Sequence, residues 1–173
     1  CAKLFNVLID NVNGPSVTTL ADRVSCFGNC NGLAYTSVTG GTPTYIFQWD
    51  DPLLQTTDSA TALCAGLYNV VIQDGLGCIS VDTVSVLEPQ EILANITSTN
   101  PTCPTVCDGT ATVSPSGGIG TIIIDWGTNA ANQNTPTASG LCAGTYIVTL
   151  TDDNNCTEID SVTISDPTAI TIT

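Results

Sequence analysis

An all-β chain of tandem, disulfide-stapled sandwich repeats follows from three features of the sequence. The first is a period. Cys26 and Cys30 recur 77 residues later as Cys103 and Cys107, Cys64 and Cys78 recur 78 later as Cys142 and Cys156, and Cys1 stands 77 before Cys78. The second is alternation: apolar residues occupy every other position in short stretches bounded by Gly, Pro, Asn and Asp, the pattern of half-buried strands. The third is vocabulary, because Val, Ile and Thr dominate those stretches while the helix formers Glu, Lys and Arg are sparse.

The period extends beyond cysteine. Asn31-Gly32 answers to Asp108-Gly109, Gly40-Gly41 to Gly117-Gly118, Trp49 to Trp126, and Leu63-Cys64-Ala65-Gly66 with Tyr68 to Leu141-Cys142-Ala143-Gly144 with Tyr146. Asp74 matches Asp152, Asp82-Thr83-Val84 matches Asp160-Ser161-Val162, and Glu88-Pro89 matches Asp166-Pro167. A single extra residue falls between the tryptophan and the leucine of the second copy, as a loop tolerates and a strand does not. A fixed period of this size means one supersecondary unit copied head to tail. The phase predicts four pieces: 1–10 as the terminal strand of a preceding repeat or a donated strand, 11–89 and 90–167 as whole repeats, and 168–173 as the first strand of a following one. Such a chain is a segment of a longer array or a subunit that lends its end strands to neighbours. The absence of Met favours an internal or processed piece.

In chain order, the first repeat should place strands near 17–21, 33–38, 45–49, 60–63, 67–73 and 79–87. The second should place them near 92–98, 110–115, 121–126, 138–141, 145–151 and 157–165. No helix is expected. Strands of this length, with turns about every ten residues, predict an immunoglobulin-like β-sandwich, rod-like when repeated. Trp49 and Trp126 then serve as the buried aromatic of the third strand, and Tyr68 and Tyr146 as the corner tyrosine that fastens the entry to the penultimate strand. The rival reading of the tryptophans, as platforms for sugar rings, is the weaker because an alternating-strand tryptophan is usually core.

Four cysteines per repeat imply a thin core stapled in an oxidising, extracellular place. Sequence leaves three connectivities for four cysteines. The sandwich wind restricts them. Cys103 and Cys107 fall between the first two strands, Cys142 just before the penultimate strand, and Cys156 just after it. That strand spans about 20 Å, too far for a Cys142–Cys156 bond. Three cysteines should therefore gather at one pole, where one pair closes locally and the third reaches the last cysteine of the next repeat. Here that ties one of Cys26, Cys30 or Cys64 to Cys156, with Cys1 and Cys78 serving the preceding junction.

Sixteen acidic residues face two basic ones, Lys3 and Arg23, and all but Asp10 and Asp22 of the acids follow Arg23. Such a surface repels phosphate backbones and anionic membranes, so nucleic acid is not an expected partner. No apolar run approaches a membrane span, and at 42% hydrophobic with 10% charged residues the chain is no disordered acidic tail.

Chemistry is sparse. Without His there is no Ser-His-Asp or Cys-His arrangement, and the two Cys-x-x-x-Cys motifs suit disulfides better than all-thiolate zinc. Gly117-Gly118-Ile119-Gly120 lacks the Lys-Thr of a phosphate loop and reads as a turn. Asp50-Asp51 and Asp152-Asp153 read as solvated turns rather than acid/base pairs, since sequence neighbours seldom face each other. Calcium is the more serious candidate, with Asp152, Asp153 and Asn154 as ligands, although the first repeat offers only Asp74-Gly75 there.

The ordered series Cys-x-x-x-Cys-(Asn/Asp)-Gly, Gly-Gly, a Trp-ended strand, Leu-Cys-Ala-Gly-x-Tyr, Asp-x-x-x-Cys and an acidic-Pro close resembles the SprB repeat of Bacteroidetes surface adhesins. It does so over Cys26 to Pro89 and Cys103 to Pro167. The resemblance implies gliding-motility filaments exported by type IX secretion, no catalysis and no active residues. It also implies O-glycans at Ser59, Thr83 and Ser161, each preceded by Asp and followed by a small or apolar residue. The expectation is a non-enzymatic cell-surface adhesin filament with no cofactor, whose partners are neighbouring repeats or copies of itself and an adhesive target such as surface polysaccharide. The alternative is a carbohydrate- or calcium-binding module of a larger secreted or surface-layer protein.

Overall fold

The computed structural model describes residues 14–168; the expectations for 1–10, Cys1 included, and for 169–173 lie outside the described residues. The described chain forms two compact units. The first comprises residues 14–24 and Asn29–Leu87; the second comprises Ser25–Gly28 and residues 88–168. The contiguous repeats expected from the period are thus altered in one respect, since four residues of the first repeat belong to the second unit.

Unit 1 contains β1 (Ser16–Asp22), β2 (Gly32–Thr39), β3 (Ile46–Trp49), β4 (Ser59–Leu63), β5 (Gly66–Gln73) and β6 (Ile79–Val86). They form two antiparallel sheets, β1-β2-β4 and β3-β5-β6. First, second and fourth strands in one sheet, with third, fifth and sixth in the other, is the immunoglobulin-type wind with one edge strand omitted. Both sheets contribute to one core: Val24, Ala34, Trp49, Ala60, Leu63, Val70, Ile72 and Val86.

Unit 2 repeats the wind. It contains β7 (Ile96–Thr99), β8 (Gly109–Val113), β9 (Ile123–Asp125), β10 (Thr137–Leu141), β11 (Gly144–Thr151) and β12 (Thr157–Ile164), in sheets β7-β8-β10 and β9-β11-β12. Alternation does the sorting. Along β11, Tyr146, Val148 and Leu150 are buried while Ile147 is exposed, and burial of the Val148 and Leu150 side chains stabilises by about 1.5–3 kcal/mol each.

Several motif residues acquire a local reason. A Cβ on Gly32 would meet Val86 Cγ1 at 2.6 Å and Leu63 O at 2.9 Å, and one on Gly109 would meet Leu141 O at 2.9 Å. The glycine of Asn-Gly and Asp-Gly therefore lets the second strand lie close against the fourth. The register then slips at a bulge in each fourth strand, between Gly32 and Ala34 in one unit and at Ser139/Leu141 in the other. The left-handed residue there is Ala62 (φ 56) or Gly140 (φ 71).

Three elements depart from expectation. β7 starts at Ile96 instead of 92, because left-handed Asn95 (φ 51) interrupts the stretch in which Ile92 and Ala94 are already buried. β9 keeps only Ile123–Asp125, since it pairs with β11 only from Thr149 to Thr151. After Trp126 the chain makes a 3-10 turn, Thr128–Ala130, in the loop that holds the second repeat's extra residue.

Candidate functional site

The cysteines form the most distinctive constellation. Cys30 lies two residues before the start of β2 and Cys64 immediately follows β4; Gly32 and Leu63 are register partners, so the Cys30–Cys64 disulfide closes the open end of that strand pair. Cys107–Cys142 does the same for β8 and β10, beside the Gly109–Leu141 partners. The third disulfide, Cys26–Cys156, spans 130 residues of sequence with its α-carbons 5.6 Å apart. It lies within unit 2, because Cys26 is carried by Ser25–Gly28. Of the three cysteines left open by sequence as partners of Cys156, Cys26 takes the place. Cys78, half-buried, and Cys103, exposed, have no disulfide.

Each unit also holds a buried aspartate whose geometry explains the Asp-x-x-x-Cys part of the motif. Asp74 Oδ2 accepts from the Thr42 amide (3.0 Å), and its Oδ1 accepts from the amides of Leu76 (3.0 Å) and Cys78 (2.8 Å). Asp152 repeats the pattern, with Oδ2 taking the Ile119 amide (2.9 Å) and Oδ1 the Asn154 (2.8 Å) and Cys156 (2.9 Å) amides. Each carboxylate thus clamps the loop after the second strand to the turn that carries the last cysteine. The Gly-Gly motif fits the same place: Gly41 has φ +65, and a Cβ there would stand 3.0 Å from Asp74 Oδ2.

These contacts correct two readings. Asp152 was expected in a solvated turn or a calcium loop, yet it is 3% exposed, and both its oxygens are engaged by backbone amides. Asn154 turns its Nδ2 to Ser25 O (3.1 Å), and Asp153 is exposed. Among the described residues no three His, Cys, Asp or Glu side chains gather as a metal group. Asp51, also read as solvated, is 1% exposed: it accepts from the amides of Leu53 (3.0 Å) and Gln55 (2.9 Å) and from Gln55 Nε2 (2.9 Å). Sequence reasoning also missed Gln55 and its counterpart Gln133, which each bridge the loop after the tryptophan to the fourth strand. Gln55 bonds Thr61 N and O, and Gln133 bonds Ser139 N and O. Their spacing of 78 residues was the available signal.

Burial alone would raise the pKa of Asp152, but the Ile119, Cys156 and Asn154 amides outweigh it and hold the carboxyl below its ordinary 3.8. Asp51 is likewise lowered: burial opposes, and the Gln55 side chain with the Gln55 and Leu53 amides prevails. For Asp74 the Thr42 amide leads, against burial and with help from Cys78 and Leu76. A depressed folded pKa contributes stability that is complete above the unfolded value and disappears as pH falls through the folded one. Unfolding midpoints in urea should therefore decline steeply only below about pH 3.8. Asp152→Asn, which turns a donor toward the Ile119 amide, should be weaker at neutral pH and flatter across the acid range. Parallel pH profiles for variant and native chain would contradict this role.

Trp49 Nε1 donates to Thr57 O (2.9 Å) and Trp126 Nε1 to Thr135 O (3.1 Å), with both rings buried. Tyr68 and Tyr146 donate their hydroxyls to Cys64 O and Cys142 O, each at 3.0 Å. Thr83 and Ser161 are exposed at equivalent places on β6 and β12, and Ser59 is half-buried at the start of β4. Thr83 Oγ1 donates to Asn69 Oδ1 at 2.7 Å.

Strand order, buried tryptophan, corner tyrosine and bridged strand ends define a disulfide-stapled all-β protein of immunoglobulin-like wind. Residues 21–54 match the family model described as the SprB repeat, the family that the motif series resembled. No curated protein matches the chain. Among solved structures, a C-terminal 282-residue fragment of intimin, in complex with the intimin-binding domain of its translocated receptor, has a TM-score of 0.41 at 16% identity, over 86% of this chain and 64% of that one. A Dscam structure has a TM-score of 0.34 at 13% identity (88% of this chain, 45% of that one). Murine CEACAM1b has 0.34 at 16% identity (87% and 99%). Among the described residues no helix is long and apolar enough to cross a membrane.

Proposed function

We propose that the chain is a non-enzymatic structural segment or subunit of an extracellular cell-surface adhesin filament, with its β-sandwich repeats arranged as a disulfide-stiffened rod. The observation that carries this reading is the Cys26–Cys156 disulfide, which links a cysteine of the first sequence repeat to the last cysteine of the second. The bond pins Ser25–Gly28, a segment of the first sequence repeat, into unit 2. The SprB match at 21–54 supports a surface location, and three disulfides suit an oxidising compartment. The acidic surface keeps neighbouring filaments apart, since charge of one sign disfavours lateral association. Negative-stain microscopy of the native material, with antibody to this chain on intact cells, tests the reading. Continuous labelled fibres at the surface are expected. Isolated short particles, or label confined within the cell, would overturn it.

A further inference from the structure

Unit 2 holds Ser25–Gly28 through a compact set of bonds. Around the Cys26–Cys156 disulfide, Asn154 Nδ2 donates to Ser25 O (3.1 Å), Cys156 Sγ lies 3.3 Å from the same oxygen, and the Gly28 amide donates to Glu88 Oε2 (3.0 Å). Each half of this clasp has a counterpart in the other repeat. Cys103 stands where Cys26 stands, with Thr102 for Ser25 and Thr105 for Gly28; Cys78 stands where Cys156 stands. Neither counterpart has a disulfide.

Both vacant halves keep the conformation of the occupied one. Gly28 has φ 73, and Thr105, a residue that pays a steric penalty for a left-handed backbone, has φ 68. Asp108 secures that loop by accepting from Thr102 N (2.8 Å) and Thr102 Oγ1 (2.6 Å). On the other side the Cys78 amide donates to Asp74 Oδ1 and its carbonyl accepts from Asp74 N (2.9 Å), as Cys156 does with Asp152. The occupied copy in the same chain shows what such a pair takes: a cysteine of the opposite kind from the same fold.

We propose that Cys103 and Cys78 are the two open halves of this clasp, Cys103 of one copy of the chain closing on Cys78 of the next. The inference rests on the disulfide-hardened reading above and names its partner. Because the two surfaces differ, the contact is heterologous and propagates head to tail instead of closing on a symmetric pair. Bond formation removes two protons and two electrons from the two thiols; a disulfide oxidant such as oxidised glutathione takes them up and becomes two thiols. One hydrogen bond of the occupied copy is absent from this junction, since Leu76 replaces Asn154.

The test is incubation of the natively oxidised chain with oxidised glutathione, followed by non-reducing electrophoresis and disulfide mapping by mass spectrometry. A ladder beyond the dimer, containing a Cys78–Cys103 peptide, is expected. Cys103→Ser and Cys78→Ser alone should each stay monomeric, and their mixture should stop at the dimer. A ladder that persists in Cys103→Ser, a Cys103–Cys103 or Cys103–Cys1 link, or no ladder at all would overturn the proposal. If Cys26–Cys156 is mapped in the same digest while Cys78–Cys103 is missing, only the head-to-tail clasp fails; if Cys26–Cys156 is missing too, the stiffened-rod reading fails with it.

Discussion

Trp126→Ala is expected to unfold unit 2 under conditions in which the native chain is stable. The ring is completely buried among Val148, Leu150, Ile164 and the other members of its core, so its removal leaves a void that a two-sheet sandwich cannot fill by collapse. Truncation of a buried aromatic costs about 3–5 kcal/mol, comparable with the lower end of the total stability of a small domain. The lost indole donor adds to this, because Thr135 O is left without its Nε1 partner. Trp49 is then the remaining tryptophan of the chain, and its fluorescence reports unit 1 while circular dichroism reports both. A large fall in the denaturation midpoint by circular dichroism is the expected outcome, with Trp126→Phe less affected. An unchanged midpoint would show that the ring is not core.

Removal of the Cys107–Cys142 bond by paired serine substitutions should be the next largest effect. The bond closes 35 residues of sequence, for which chain entropy in the unfolded state predicts a stabilisation of about 3–4 kcal/mol. Its position concentrates the effect. β10 is an edge strand paired only with β8, and its ladder is interrupted at Gly140, so the disulfide holds the strand where hydrogen bonding is weakest. Amide exchange along Thr137–Leu141 should accelerate first, with a reduced urea midpoint for unit 2. A loss under about 1 kcal/mol would mean that the unfolded chain gains little freedom from the missing bond.

Much of this fold was legible because it is local. Alternation placed the strands to within a few residues, and the motif series put tryptophan at the end of the third strand and tyrosine at the entry to the fifth. The misreadings share a cause. Asp51 and Asp152 look like turn residues because a carboxylate in a turn-rich stretch is usually solvated; Asp152 is instead met by the Ile119 amide from 33 residues earlier in the chain, and Asp51 by the amides of Leu53 and Gln55 and the Gln55 side chain as the loop closes over it. Asn95 broke a strand that its apolar neighbours would have continued.

Side-chain alternation and a 77- to 78-residue period, both readable along one dimension, were enough to establish the β architecture and the copying of the unit, as composition was to show that the sequence has no His. Which cysteine meets Cys156, that Asp152 is buried against the Ile119 amide and to which unit Ser25–Gly28 belongs were settled on folding. Those outcomes turn on distances between groups far apart in the chain, and a pattern of neighbours carries no such distances.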